Sequence, residues 1–307
     1  MPQQGTDQAM GFAAADRLRA MMAQGAGRMP LLAPGVWDGL SARLAIHAGA
    51  TALHASGGAI ARAAGQPDLG ILGLAEMEAR IGEIVEGAGG APVIADADTG
   101  YGGLLNLAHA VRRYARLGVA ALHIEDQPFP KRCGLFEGVA VVPEAEMLGR
   151  LRAARAAAAE CDGGPLLIAR TDAVKPEGLE AALRRMRAYL AAGADIAFVE
   201  GLEDADAMRA ASAGLPGVPQ LLNASMSAHG LPLPPETLAG LGFAIILYPG
   251  DAQRAAIAAM DAAFRAVLRD GDGRGVADRM AAASLRDGVV GTRELMAAEA
   301  RWAEGQG

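Results

Sequence analysis

The sequence predicts an α/β fold: a (β/α)8 barrel with an extra helix before it and further helices after it. Three observations carry this. Eight short apolar runs alternate with longer helical stretches, and eight parallel strands close such a barrel. The runs are apolar at nearly every position, as expected of strands covered on both faces. Polar and charged residues follow the runs directly, at the strand ends where barrels build their active sites.

The elements follow in order. Residues from about Asp7 to Gln24 read as the added N-terminal helix. The first four strands are Leu31-Leu32-Ala33, Ala52-Leu53-His54-Ala55, Val93-Ile94-Ala95 and Ala121-Leu122-His123-Ile124. The next four are Leu166-Leu167-Ile168-Ala169, Ile196-Ala197-Phe198-Val199, Gln220-Leu221-Leu222-Asn223 and Ala244-Ile245-Ile246-Leu247. Glycine in the turns Ala48-Gly49 and Ala192-Gly193 suits the ends of the preceding helices. No linker rich in Pro, Gly or Ser divides the chain. Residues 1–307 therefore read as one domain, with the barrel over about 30–270 and a helical extension over about 273–305. A doubly wound open sheet is the main rival. It usually carries a G-x-G-x-x-G turn after its first strand, and none follows a strand here.

The bulk composition narrows the function. At 307 residues and 52% hydrophobic with 4% aromatic, the chain builds its core from Ala, Leu, Val and Ile without disulfide staples. A net charge of −7 with no basic tract argues against nucleic-acid binding and against anionic membranes. Two cysteines form no disulfide framework, so a reducing cytoplasm is expected. No uncharged apolar stretch reaches 18 residues and Met1 to Met10 lack a signal-peptide pattern, so no membrane span is expected.

The chemistry begins at Asp96-Ala97-Asp98-Thr99-Gly100, just after the third strand. Side chains two apart on a strand share a face. Two carboxylates there repel unless a cation lies between them or one is protonated, and a hard divalent cation with oxygen ligands resolves this. Turn-forming or helix-capping aspartates are the bland alternative. Other strand ends carry Ser56-Gly57-Gly58, Glu125-Asp126, Arg170-Thr171-Asp172, Glu200 and Asn223. Together they suit a small anionic substrate held on a metal. Glu125 shares a face with His123 and is the third candidate metal acid; a structural His123–Glu125 pair is the alternative. The loop from Gln127 to Gly138 is long enough to be functional. In it Lys131 and Arg132 precede Cys133, and nearby positive charge favours the thiolate. Cys161, at a helix end, reads as structural. His229 is a candidate at the barrel mouth, and Trp37 a candidate pocket wall or core residue.

Taken together, Ser56-Gly57-Gly58, Pro67-Asp68-Leu69-Gly70, Asp96-Ala97-Asp98-Thr99-Gly100-Tyr101-Gly102, His123-Ile124-Glu125-Asp126-Gln127, Lys131-Arg132-Cys133-Gly134 and Ala169-Arg170-Thr171-Asp172-Ala173 resemble the isocitrate lyase/phosphoenolpyruvate mutase superfamily. The similarity runs from about Leu32 to Leu268 and is nearest the methylisocitrate lyase and dimethylmalate lyase branch. The resemblance implies a TIM-type barrel, a magnesium or manganese ion, and a lid carrying Lys131, Arg132, Cys133 and Gly134. It also implies a C-terminal helix swapped between subunits, giving dimers that pair as homotetramers. Asp96 and Asp98, with Glu125, match the metal acids, and Asp68 an acid supporting the metal's water shell. Ser56, Gly57, Gly58 and Arg170 match the groups that hold a 2-oxo acid portion. Glu200 and Asn223 match polar residues around a second carboxylate. Cys133 matches the proton donor of the lyases; Lys131 joins it in the catalytic set, and Arg132 and Gly134 in substrate binding.

The chain departs from this pattern twice. Leu135 follows Cys133-Gly134 where the lyases carry histidine, which makes the lid more apolar and favours a smaller or less charged substrate such as an alkyl malate. His54 replaces the tyrosine of methylisocitrate lyases. It shares a face with Ser56 and is a candidate base toward a substrate hydroxyl, or else a core histidine. The expected function is a metal-dependent carbon–carbon lyase acting on a substituted 2-hydroxy di- or tricarboxylate. The rivals are an oxaloacetate decarboxylase, a phosphonate-handling enzyme resembling carboxyphosphonoenolpyruvate mutase, and a non-catalytic dicarboxylate-binding barrel.

Overall fold

The computed structural model describes residues 10–134, 136–225 and 230–305. Its order is α1 (Met10–Gly25), β1 (Leu31–Val36), α2 (Gly39–His47), β2 (Leu53–Ala55), α3 (Gly57–Ala63), α4 (Leu74–Gly87), β3 (Val93–Asp96), α5 (Leu104–Leu117) and β4 (Ala121–Glu125). There follow α6 (Glu144–Ala159), β5 (Leu166–Thr171), α7 (Val174–Glu177), α8 (Leu179–Ala191), β6 (Ile196–Val199), α9 (Ala205–Gly214), β7 (Gln220–Asn223), α10 (Pro235–Gly240) and β8 (Phe243–Tyr248). The chain ends in α11 (Asp251–Asp270), a 3-10 turn (Arg274–Arg279), α12 (Ala283–Gly288) and α13 (Thr292–Ala303).

The strands form a closed parallel barrel in sequence order, sealed where β1 pairs with β8 from Leu31↔Ile245 to Pro34↔Tyr248. Each of the eight apolar runs contributes a strand. They were legible because barrel strands bury both faces, so no polar alternation interrupts them. The helices show ordinary local logic. In α5, Leu107, Ala110, Val111 and Tyr114 are buried on one face, and Gly118 ends the helix in the left-handed conformation at φ 84°. In α2, Asp38 and Ser41 cap each other: Ser41 N donates to Asp38 Oδ1 at 2.7 Å and Asp38 N to Ser41 Oγ at 3.1 Å.

Two apolar layers hold the fold. One lies between strands and helices; the other fills the barrel with Ile94, Ile168, Phe198, Leu221 and Ile245. Ala15, Leu18 and Met22 of α1 join the inner layer, together with Ala120 and Leu166 at the start of β4 and β5. Helix α1 thus plugs the N-terminal end of the barrel and leaves the C-terminal end for chemistry. Residues 7–9, expected in this helix, lie outside the described residues, as do Leu135 and His229. No helix among the described residues is long and apolar enough to cross a membrane. Neither cysteine is in a disulfide.

Candidate active site

The C-terminal end of the barrel encloses a cavity of about 290 Å³. His54 and Ser56 reach it from β2, Asp96 from β3, Arg170 from β5, and Glu200 and Asn223 from the ends of β6 and β7. Asp68 enters from the loop after α3, and Lys131, Cys133 and Gly134 from the loop after β4.

Strand alternation does not place the two aspartates together, because β3 stops at Asp96. Asp98 lies beyond it in the left-handed region at φ 46°, and Tyr101 at φ 61°. Non-glycine residues rarely adopt that conformation, and such strain concentrates at functional sites. Here the loop is tied down. Asp98 N donates to Asp96 Oδ1 at 3.0 Å, and Glu125 N donates to Asp98 O at 2.9 Å. Tyr101 and Tyr114 place their hydroxyls 2.7 Å apart beneath Asp96 O.

The acids gather around Lys131. Its ammonium donates to Asp68 Oδ1 at 2.6 Å and lies 3.0 Å from Asp98 Oδ1. Burial opposes that charge, but Asp98, Glu125, Asp96 and Asp68 raise the ammonium's pKa well above the usual value. Burial would raise Asp96 too; His123, Lys131 and Arg170 facing it hold its carboxyl well below the usual range. Burial raises Asp98 against the pull of Lys131. His54 and His123 meet with their Nε2 atoms 3.2 Å apart, and His123 Nδ1 lies 3.5 Å from Asp96 Oδ1. Burial and mutual repulsion push His54 down to about 3, and burial pushes His123 down to about 4.

Glu125 is fully buried and does not line the cavity. Its Oε2 lies 3.2 Å from Arg170 Nη1, so it supports that arginine rather than pairing with His123. Arg170 also grips Asp172 through Nε at 3.1 Å and Nη2 at 2.9 Å, and its guanidinium stacks 5.1 Å from the Phe198 ring centroid. Glu200 and Asn223 bond to each other at 3.0 and 3.2 Å.

Glycines permit these approaches. A Cβ on Gly57 would fall 2.6 Å from Asp96 Oδ2, and one on Gly58 2.7 Å from Asp68 Oδ2. Ser56 caps α3, accepting from Ala59 N at 3.4 Å. The lid segment lies closed. Gln127 grips the Arg132 backbone at both N and O, each at 2.9 Å, and Lys175 Nζ donates to Gly134 O at 2.9 Å. Arg132 itself is exposed and its side chain is not part of the cavity wall, a correction to its expected substrate contact: the Gln127 clamp turns it outward. Trp37 packs at a separate groove beside α2, so it does not wall the site.

The donors suit a hard divalent cation. Every donor is a carboxylate oxygen; Glu125 Oε1 is buried without a hydrogen bond, while Asp98 Oδ1 meets the Lys131 ammonium and Glu125 Oε2 the Arg170 guanidinium. Among the described residues no three His, Cys, Asp or Glu side chains converge tightly enough to enclose an ion by themselves. The set therefore fits an ion that keeps part of its water shell, as magnesium does. Sequence reasoning did not single out Arg62, Gln253, Arg254 or Ile257, which also line the cavity. Arg62 lies on α3, outside the motifs on either side of it, and the other three lie on α11, which carries none.

Residues 18–268 match the family model for phosphoenolpyruvate phosphomutase. A 2,3-dimethylmalate lyase of Eubacterium barkeri is 37% identical over 90% of this chain and 94% of its own. A 2-methylisocitrate lyase of Bacillus subtilis (strain 168) is 38% identical over 75% of each chain. The solved structure of a phosphonopyruvate hydrolase complex with oxalate and Mg²⁺ superimposes with a TM-score of 0.83 at 29% identity, covering 94% of this chain and 99% of that one. With its closed barrel, its acid cluster and its lid cysteine, the chain belongs to the phosphoenolpyruvate mutase/isocitrate lyase superfamily.

Proposed function

We propose that the protein is a carbon–carbon lyase that cleaves a substituted 2-hydroxy dicarboxylate, of the dimethylmalate or methylisocitrate kind, to a 2-oxo acid and a carboxylate. One observation carries this reading: buried carboxylates, Arg170 and the lid thiol Cys133 meet at one small cavity. Asp96, Asp98 and Asp68 would hold a magnesium or manganese ion, with Glu125 behind them. Such an ion supplies Lewis-acid stabilisation of negative charge developing on oxygen. The chain's own groups do the rest. Arg170, fixed by Glu125 and Asp172, presents a rigid positive edge to the carboxylate of the 2-oxo acid portion. As the substrate hydroxyl becomes the 2-oxo group, its O–H proton passes to the neutral imidazole of His54 in the cavity wall, and the electron pair of the broken carbon–carbon bond stays on the carbon of the departing carboxylate. Cys133 Sγ gives that carbon a proton. The lid, held by Gln127 and Lys175, excludes water while the carbanion exists. A phosphonate substrate is the second reading, favoured by the likeness to phosphonopyruvate hydrolase. The lid cysteine, a thiol at the cavity wall and so an available proton source for carbon, favours the lyase.

A coupled assay for released 2-oxo acid across alkyl malates, methylisocitrate, oxaloacetate and phosphonopyruvate decides between them. Cleavage of a hydroxy acid that EDTA abolishes, and that Cys133→Ala lowers by about a hundredfold or more, is expected. Turnover of oxaloacetate or phosphonopyruvate alone, unaffected by Cys133→Ala, would replace the lyase reading. With neither cysteine in a disulfide, a reducing cytoplasm is the location we infer. A homotetramer built from helix-swapped dimers is the assembly we infer. It is supported by the exposed apolar face of α11, where Phe264 is 67% and Leu268 86% exposed.

A further inference from the structure

A hydroxyl on an apolar helix face needs a partner. The buried side chains of α5 are Leu107, Ala110, Val111 and Tyr114, and Tyr114 is fully buried. An aliphatic side chain would fill that place without a polar atom, whereas a buried phenol is destabilising unless its hydroxyl is bonded. Tyr114 meets its partners in the turn that carries Asp98. Its hydroxyl lies 2.7 Å from Tyr101 OH and 3.5 Å from Asp96 O, and Tyr101 OH lies 3.4 Å from Asp96 O. At 2.7 Å one hydroxyl must donate to the other, which leaves the second to donate to Asp96 O.

That turn is strained. Asp98 at φ 46° and Tyr101 at φ 61° both lie in the left-handed region that non-glycine residues rarely adopt. Helix α5 meets the turn at two points. Gly100 lies against Leu107, where a Cβ would fall 2.7 Å from the leucine Cβ. Tyr101 lies against Tyr114, with ring centroids 6.5 Å apart at 69°. The backbone between Asp96 and Tyr101 is bonded within itself and to β4: Gly100 N donates to Ala97 O at 2.8 Å, and Glu125 N to Asp98 O at 2.9 Å. The hydroxyl pair therefore ties both ends of the turn to α5, whose side chains stand outside the cavity.

We propose that Tyr101 and Tyr114 are a positioning pair for the divalent cation: their shared hydrogen bond holds the strained turn that presents Asp98 to the acid cluster, and so sets the metal affinity of the site from α5. The proposal rests on the reading of Asp96, Asp98 and Asp68 as the metal acids. Groups that fix a ligand without touching the ion contribute about tenfold to a hundredfold in affinity. Two hydroxyls bonded to each other act as a unit, so removing either forfeits the effect of both.

Titration of the full chain with Mn²⁺, followed by the electron paramagnetic resonance signal of the free ion, tests this. Tyr114→Phe and Tyr101→Phe keep the rings and remove one hydroxyl each. Each is expected to weaken Mn²⁺ by about tenfold, and the double variant by no more than either alone. Oxalate affinity by calorimetry at saturating Mn²⁺ should stay within about twofold of the parent, because saturation restores the loaded site. Parental Mn²⁺ affinity in both single variants overturns the proposal, whatever their melting temperatures. So do losses that add in the double variant, which would mean two separate packing defects. An equal loss for oxalate at saturating Mn²⁺ overturns it too, as a general loosening of the barrel mouth. Should Tyr114→Phe not fold, Tyr101→Phe removes the same bond from the half-buried partner and decides the question. A parent protein that binds no Mn²⁺ overturns the metal-site reading itself.

Discussion

Single atoms decide whether this site can close. Gly134 in the lid has no room for a side chain: a Cβ there would lie 2.6 Å from Asp172 Oδ1 and 2.8 Å from Arg170 Nη2. Gly134→Ala should push the lid off the cavity or rotate Arg170 away from Asp172. A displacement of about 1 Å in a positioned group can lower the rate about a hundredfold. We expect kcat/KM to fall by about that factor while the melting temperature stays close to the parent's. Parental kinetics would mean that the lid does not close in this way during turnover. The buried histidine pair makes a second prediction at this scale. His54 and His123 lie at about 3 and about 4, below the 6.5 of an unfolded histidine. As pH falls below 6.5, the unfolded chain takes up protons that the folded chain refuses. Their contribution is therefore full above 6.5 and lost on acidification, by about 2 kcal/mol per histidine between pH 7 and 5. Glu125 and Glu200, raised by burial, act in the opposite sense. Urea unfolding of the parent against His123→Asn at pH 7 and pH 5 isolates the histidine part. The variant should lose less stability over that interval, and equal losses would contradict the neutral pair.

At the scale of elements, Asp126 stitches the ends of β4 and β5 to α8. Its Oδ2 accepts from Thr171 Oγ1 at 2.7 Å and Tyr189 OH at 2.9 Å, and its Oδ1 from Asp172 N at 2.9 Å. It points away from the cavity, as its position one residue after Glu125 requires. Asp126→Ala strands three buried donors and should cost about 3 kcal/mol or more in urea unfolding. It should also loosen Asp172 and so lower turnover. A stability change under about 1 kcal/mol would mean that water replaces the carboxylate. The elements also show what could be read in advance. Strands such as Leu166–Thr171 announce themselves because both faces are apolar, and the acids after them because barrels expose strand ends. The partners of those acids could not be read. Nothing near Asp96 in sequence says that it will face His123, or that Glu125 will lie under Arg170 rather than in the open. Asp98 reached the cluster through a left-handed turn, which no strand periodicity encodes. Arg62 and Arg254 stayed hidden because the Gln253–Ala59 bond that fastens α11 to α3 joins residues 194 apart in sequence.

The whole molecule leaves one face unfinished. Helix α11 runs for 20 residues, yet Gln253 and Ala266 are its only buried positions among the described residues. Ile257, Met260, Phe264, Val267 and Leu268 are exposed along it. A helix following a barrel strand normally lays its apolar stripe back on the sheet. Here the place beside β1 is instead an apolar groove of about 1140 Å³, walled by α1, α2 and the start of α11. Met29, Leu32, Leu40 and Leu44 stand open there. An unpartnered helix face and a groove beside the first strand of the same chain are complementary if a second copy exchanges helices with the first. Exposed apolar surface on this scale marks an association site. Such an exchange would close on itself, because each copy would offer both parts. Phe264→Glu with Leu268→Glu should place two charges against the groove without disturbing the barrel core. Light scattering should show the parent well above its monomer mass of 31.2 kDa and the double variant shifted toward it. A parent already at 31.2 kDa would leave α11 without its partner and end the swapped-dimer reading. Because Gln253 and Arg254 open that same helix, dissociation should also free the rim of the cavity. The double variant is therefore expected to raise KM for a dicarboxylate more than it lowers kcat, a split that loss of the barrel fold would not produce.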